Sequence, residues 1–172
     1  MPPLNIRWLR RRDLPDVLAI ERASFAAPWS EADFDATLRR PYCFGLAAER
    51  CQSQRHSQWQ SLCGYLLGAV DGKYVHLLNL AVAPDCRRRG IGSRLLSEVT
   101  ERLSASGRRL VVVLGERNVP AQLFYRAQGF RAVGVLRDFW NGTRDDAYLL
   151  EHRPGELSAP FLPANRIAAY LR

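Results

Sequence analysis

The sequence lacks what would carry it across or out through a membrane. It has no apolar run of about 18 residues, so no helix is expected to cross a bilayer. The opening stretch MPPLNIRWLRRRDLP has charge but no apolar run behind it, which speaks against a secretory leader. Cysteine is sparse: Cys43, Cys51, Cys63 and Cys86 form no C-x-x-C pair, and no histidine falls at ligand spacing. No metal site is therefore expected, and reduced thiols in a cytoplasm are. Two phosphate-binding signatures are also missing. The absence of G-x-x-x-x-G-K-[ST] excludes a P-loop, and the absence of G-x-G-x-x-G leaves a dinucleotide fold unsupported. No internal repeat and no break in composition marks a second domain. The reading is one domain over residues 1–153, with a tail at 154–172 that either docks or stays mobile.

Positive charge is in excess. The chain of 172 residues has 25 basic against 17 acidic side chains, a formal net charge of +8. That balance invites a nucleic-acid reading. The arginines, however, come in short separate clusters: Arg7 to Arg12, Arg39 and Arg40, Arg87 to Arg89, Arg108 and Arg109. No basic strand is interleaved with aromatics, so direct nucleic-acid binding is not expected. An anionic small ligand or a solvated face accounts for the clusters.

The elements alternate along the chain. LNIRWLR reads as a first strand. Asp13 is placed to cap a helix with Pro15 in its first turn and an apolar face of Leu14, Val17, Leu18, Ile20 and Phe25. Ser30 and Asp33 form a capping box for a second helix carrying Phe34 and Leu38. Strands are predicted at Tyr42–Glu49, Ser61–Val70 and Tyr74–Pro84, with a polar loop after the first and an Asp71-Gly72 turn after the second. A helix over Gly92–Ser106 has a stripe of Leu95, Leu96, Val99 and Leu103, and Gly107 follows its end. RLVVVLG reads as a strand buried on both faces. A short helix over Pro120–Gln128 precedes two strands joined at Asn141-Gly142-Thr143. The order β-α-α-β-β-β-α-β-α-β-β gives an α/β (α+β) fold, a mixed, mostly antiparallel sheet of about six or seven strands flanked by about four helices.

The most informative stretch is CRRRGIGSRLLSEV, Cys86 to Val99. A strand ends at Pro84, a turn with Gly90 and Gly92 follows, and a helix begins. A helix N-terminus offers free N–H groups and the positive end of a dipole, and bare glycine lets an anion approach. The dipole supplies only about 0.3–1 kcal/mol, so charge-assisted bonds must supply the rest.

The spacing Arg87-x-x-Gly90-x-Gly92 resembles the acyl-CoA-binding turn of the GNAT superfamily of N-acetyltransferases. ERNVPAQLFYRAQGF resembles that family's second cofactor segment, with Asn118, Ala121, Tyr125, Gly129 and Phe130 at matching positions. The element order matches over roughly residues 4 to 152. SFAAPWSEADF, NLAVAPDCRRRGIGSRLL and LRDFW followed by RDDAYLL are most similar to the ribosomal-protein-alanine N-acetyltransferase branch. Two departures stand out. Val113 occupies the place where the branch has a glutamate, in Leu-Glu-Val-Arg. Phe139-Trp140 stands where the branch tends to carry adjacent tyrosines.

The resemblance implies acetyl transfer from acetyl-CoA to the N-terminal α-amine of a protein or peptide, by direct attack in a ternary complex. A ribosomal protein is one such acceptor, and the enzyme would be a monomer or weak dimer. A small amine, a lysine, or a CoA-binding module without turnover are the alternatives. The implied pyrophosphate cradle is Arg87, Arg88, Arg89, Gly90, Ile91, Gly92 and Ser93. Leu80, Ala81 and Val82 would offer backbone donors, and Asn118, Ala121 and Tyr125 would complete the cofactor side. Tyr125 would be the acid for the leaving thiolate. The base stays open: His76 is the candidate by its ordinary pKa, Glu116 lies in a loop, and Asn79 would orient a water or the thioester. Pro28, Trp29, Phe139 and Trp140 would face the acceptor.

Overall fold

A computed structural model describes residues 4–50, 62–104, 106–139 and 145–153, with the side chains of 103 and 104 excepted. The polar loop after the second strand, Trp140, the Asn141–Thr143 turn and the tail at 154–172 lie outside the described residues. Seven strands form one sheet: β1 (Leu4–Trp8), β2 (Cys43–Arg50), β3 (Leu62–Asp71), β4 (Tyr74–Val82), β5 (Arg109–Gly115), β6 (Arg131–Leu136) and β7 (Ala147–His152). Four helices accompany them: α1 (Leu14–Ser24), α2 (Glu31–Leu38), α3 (Ile91–Ser104) and α4 (Val119–Ala127). The spatial order is β1-β2-β3-β4-β5-β7-β6, and only β4 and β5 pair in parallel. This is the mixed, mostly antiparallel sheet that the sequence predicts.

The strand period of two divides the core into two layers. Leu66 on β3 packs with Leu95 and Val99 of α3 and Tyr125 of α4. Its neighbours Tyr65 and Leu67 point the other way, to Leu14 and Val17 of α1 and Phe34 of α2. Leu66, Leu67, Leu95 and Phe34 are fully buried, and each side chain of this size stabilises by about 1.5–3 kcal/mol relative to exposure.

Among the described residues the helix-start signals of α1 and α2 hold with one exception. Ser30 Oγ accepts from the Asp33 amide at 3.3 Å while Asp33 Oδ2 accepts from the Ser30 amide at 2.7 Å, the predicted capping box. Asp13 stands at the start of α1, but its side chain makes no cap bond there. Asp13 Oδ2 instead accepts from the Arg10 amide at 2.7 Å, closing a 3-10 turn at Arg11–Asp13. The stronger competitor is charge: Arg7 Nη1 reaches Asp13 Oδ2 at 2.7 Å, and Arg7 Nε reaches Glu49 Oε1 at 2.6 Å. Burial alone pushes the Asp13 carboxyl up, but the hydrogen bonds from Arg7 and the Arg10 amide outweigh it and hold it below its usual range. The hydrogen bond to Asp13, joined by the one to Glu49, holds the Arg7 guanidinium above its usual value against the opposing effect of burial.

Candidate active site

Two irregularities open the sheet. Leu67 of β3 pairs with Asn79 of β4, but the next residue, Gly68, pairs with Leu77. Leu78 is thus an extra residue, a β-bulge that re-aims β4. On its other side β4 pairs with β5 only at Tyr74, His76 and the residue between them, against Arg109 to Val111. Beyond His76 the two strands run on without a ladder. Backbone N–H and C=O groups on that edge of β4 have no sheet partner there, and with Leu78 exposed and Asn79, Leu80 and Val82 half-buried they are open to solvent or to a ligand. The cleft between the parted strands therefore suits an extended ligand that carries amides of its own.

Beyond Val82 the chain turns into α3. After a 3-10 turn at Pro84–Cys86, Arg88 has φ 60° and Gly90 φ 74°. A Cβ added at Gly90 would meet nothing within 4 Å, so glycine is required there by backbone conformation. Gly92 also lies close to α4: an added Cβ would stand 3.3 Å from Phe124 Cζ. The first helical bond of α3 runs from the Arg94 amide to Gly90 O at 3.0 Å. The amides of Ile91, Gly92 and Ser93 therefore lack intrahelical acceptors and face the turn.

The three arginines divide their work. Arg87 Nε donates to Val82 O at 3.0 Å and Nη2 to Ser24 Oγ at 2.9 Å, tying the turn to β4 and to the end of α1. Arg88 and Arg89 are exposed and form no ion pair among the described residues, so their charge is available to a phosphate. Beneath the turn lies Cys86, whose thiol is pushed up to about 11 by burial and by its hydrogen-bonded neighbour Cys63.

On the other wall, Asn118 Oδ1 accepts from the Ala121 amide at 3.2 Å and caps α4. Gln122 Nε2 donates to Gly115 O at 3.0 Å and Glu116 O at 2.8 Å, pinning the end of β5 to the helix. Tyr125 is 5% exposed, with its ring edge-on to Phe124 and Phe130. Its hydroxyl makes no hydrogen bond among the described residues, yet the oxygen is not sealed from solvent. Burial raises the phenol above its ordinary value, so it keeps its proton and remains a donor.

The acceptor-side candidates are only partly assembled. Trp29 is half-buried against Phe34, at 5.4 Å between ring centroids, and Pro28 beside it is exposed. Phe139 is 43% exposed, on a hairpin whose base is fixed by Arg137 paired with Asp146. His76 stays in the closed part of the β4–β5 ladder, opposite Val111, rather than in the opened segment. Val113 is half-buried and pairs with Leu149, so β5 brings no carboxylate to the cleft. Asn79, by contrast, does enter a polar cluster. Its Nδ2 donates to both carboxylate oxygens of Glu21 at 3.3 Å, and Tyr65 Oη also donates to Glu21.

Glu21, Tyr65 and Gln122 did not emerge from the sequence as site residues. A signal for Glu21 existed: Leu14, Val17, Leu18 and Glu21 follow helical spacing, which sets a carboxylate on the buried stripe of α1. A buried carboxylate needs donors, and three elements supply them.

The comparisons with known proteins agree with this geometry. The chain is 29% identical over 137 residues to the [ribosomal protein bS18]-alanine N-acetyltransferase of Salmonella typhimurium, covering 79% of this chain and 86% of that protein. It is 28% identical over 162 residues to the N-alpha-acetyltransferase RimI of Mycobacterium tuberculosis, covering 91% and 96%. Among solved structures, Arabidopsis thaliana NAA60 in complex with a bisubstrate analogue superposes with a TM-score of 0.73 at 25% identity, covering 88% of this chain and 98% of that one. The family profile described as "Acetyltransferase (GNAT) family" matches residues 14–130, the span from the start of α1 to the end of the α4 turn, and the chain belongs to that acetyltransferase family.

Proposed function

We propose that this acetyltransferase moves the acetyl group of acetyl-CoA to the free α-amine of a protein or peptide N-terminus in the cytoplasm. The opened β4 edge, the Gly90 turn and the free amides at the start of α3 fit a ligand with an amide-bearing arm and a pyrophosphate. In this reading Arg88, Arg89 and the amides of Ile91, Gly92 and Ser93 hold the pyrophosphate. Arg87 keeps the turn in place, and the Leu80–Val82 backbone receives the arm. Bound acetyl-CoA supplies an acetyl thioester, whose carbonyl carbon takes the amine and whose sulfur leaves. Tyr125 holds a proton at Oη for that sulfur, and Phe124 and Phe130 fix its ring.

The observation that carries the choice of acceptor is Val113. With no carboxylate on β5, the amine must reach its neutral form cheaply. An α-amine with pKa about 7.7–8.0 loses its proton at pH 7 for roughly 1–1.4 kcal/mol, whereas a lysine near 10.4 needs about 4.6 kcal/mol. Relatives named for alanine and N-alpha acetylation support the same acceptor. A ribosomal protein is the first acceptor to try.

Thiol release from acetyl-CoA, measured with short peptides that begin with a free alanine, tests the proposal. Turnover is expected with the free N-terminus and none with the same peptide blocked. Turnover confined to lysine side chains or polyamines would replace the acceptor. Tight acetyl-CoA binding without turnover on any amine would make the protein a binding module.

A further inference from the structure

One buried acidic side chain has no part in the chemistry above. Glu21 is 1% exposed and receives donors from three separate elements. The Trp29 amide, in the loop between α1 and α2, donates to Oε1 at 2.9 Å. Tyr65 on β3 donates its hydroxyl to Oε2, and Asn79 on β4 donates Nδ2 to both oxygens at 3.3 Å. A carboxylate only accepts, so the Asn79 amide must turn its NH2 inward. Its Oδ1 then points away from Glu21. No described residue donates to that oxygen, and it is not sealed from solvent. Asn79 follows the Leu78 bulge directly, on the segment of β4 that has left β5.

The polarity of that exposed atom matters for an amine nucleophile. The nitrogen must aim its lone pair at the carbonyl carbon while its N–H bonds are held elsewhere. An acceptor oxygen holds an N–H and leaves the lone pair free. An NH2 in the same place would bind the lone pair itself.

We propose that Glu21 is a positioning residue for the amine substrate. It locks the Asn79 amide so that Asn79 Oδ1 accepts an N–H of the attacking amine. Through the Trp29 amide it also fixes the acceptor-side loop to the same strand. This rests on reading the cleft as a site of amine acetylation.

Glu21→Gln tests the assignment. The new NH2 group needs an acceptor, the Asn79 amide turns over to provide one, and its NH2 now meets the incoming amine. The expected result, per folded enzyme, is a fall in kcat/KM for the amine of roughly tenfold, the size of one hydrogen bond to a polar or charged group. The acetyl-CoA dissociation constant should stay within about twofold of the wild type, since its contacts are untouched. Adding Asn79→Asp should restore much of the loss. The introduced carboxylate accepts from the introduced side-chain amide and still presents an oxygen to the cleft. A purely structural Glu21 would lower the melting temperature and leave kcat/KM per folded enzyme unchanged, and that result overturns the assignment. A double variant no better than Glu21→Gln overturns it too. Where Glu21→Gln does not fold, Asn79→Ala must show the same loss, and undiminished kcat/KM there refutes it. Wild-type activity on lysine or polyamine alone removes the α-amine acceptor, and the same ratios are then read on that amine. A wild type that acetylates no amine removes both readings.

Discussion

Tyr125→Phe separates catalysis from stability because of what surrounds the hydroxyl. The ring is nearly buried and sits 5.1 Å, centroid to centroid, from Phe124 and from Phe130. Phenylalanine keeps that packing. The lost oxygen made no hydrogen bond among the described residues, so no stabilising contact goes with it. A buried polar atom without a partner costs up to about 1–3 kcal/mol, less where some solvent reaches it. Stability should therefore stay level or rise by up to about 1 kcal/mol. For a chain of this length that is a melting-temperature rise of roughly 2–4 °C at most. The rate should move the other way. Loss of a positioned general acid lowers kcat by about a hundredfold or more. Acetyl-CoA affinity should hardly change, because the donor acts on charge that appears only as sulfur leaves. Since burial raises the phenol, the wild-type rate should show no alkaline fall from Tyr125 below about pH 10. Thermal denaturation followed by circular dichroism and thiol-release kinetics at saturating substrates give both numbers. A kcat within about twofold of the wild type would refute the acid role. A melting temperature lower by several degrees would show that the hydroxyl has a structural bond.

Three further outcomes follow from other parts of the fold. Gly90→Val places a β-branched residue at φ 74°, where even an ordinary L-residue is strained by about 1–2 kcal/mol. Calorimetry should show acetyl-CoA affinity lower by at least about tenfold while the fold survives, and an unchanged affinity would exclude this turn as the phosphate site. At pH 8 an alkylating reagent should modify half-buried Cys43 well before Cys86, because burial and Cys63 hold the Cys86 thiol near 11. Peptide mapping by mass spectrometry that found Cys86 first would contradict this. Asp13→Asn should destabilise by about 3 kcal/mol near neutral pH, since it leaves Arg7 short of a buried partner. The Asp13 carboxyl is held below its unfolded value, so its contribution is complete above about pH 4 and is lost as pH falls through the lower folded value. Urea titrations of both proteins across that range should converge in acid, and parallel curves would rule the pair out as the cause.

What the sequence revealed depended on how local the cause was. Ser30 with Asp33, Pro15 in the first turn of α1, and the Leu95, Leu96 and Val99 part of the α3 stripe each declare themselves within a few residues, and the structure has them. The order of helices and strands was legible for the same reason. The turn at Gly90 was legible because a strand, a bare turn and a helix start lie in one short stretch, and the positive φ of Gly90 agrees with it. The packing of Gly92 against Phe124 of α4 was not legible, since the two lie far apart in the chain and no local pattern joins them. Asp13 stands at the N-cap position of α1 as the sequence implies, but its carboxylate is drawn to Arg7, which β1 brings up and Glu49 of β2 also holds, and no local pattern announces that pairing. The Glu21 cluster depends on β3, β4 and a loop converging, with partners 44 and 58 residues distant. The departure of β4 from β5 after His76 is a property of pairing, which a strand's own residues do not announce.

Where the acetyl group goes is the most direct test of the proposed chemistry. The purified protein is incubated with acetyl-CoA and a peptide that begins with alanine and carries one internal lysine, near neutral pH. Tandem mass spectrometry then assigns the added acetyl to a residue. Acetyl on the α-nitrogen of alanine, with the lysine unmodified and the N-terminally blocked peptide inert, is the predicted result. Acetyl on the lysine ε-nitrogen, formed equally on the free and the blocked peptide, would contradict it.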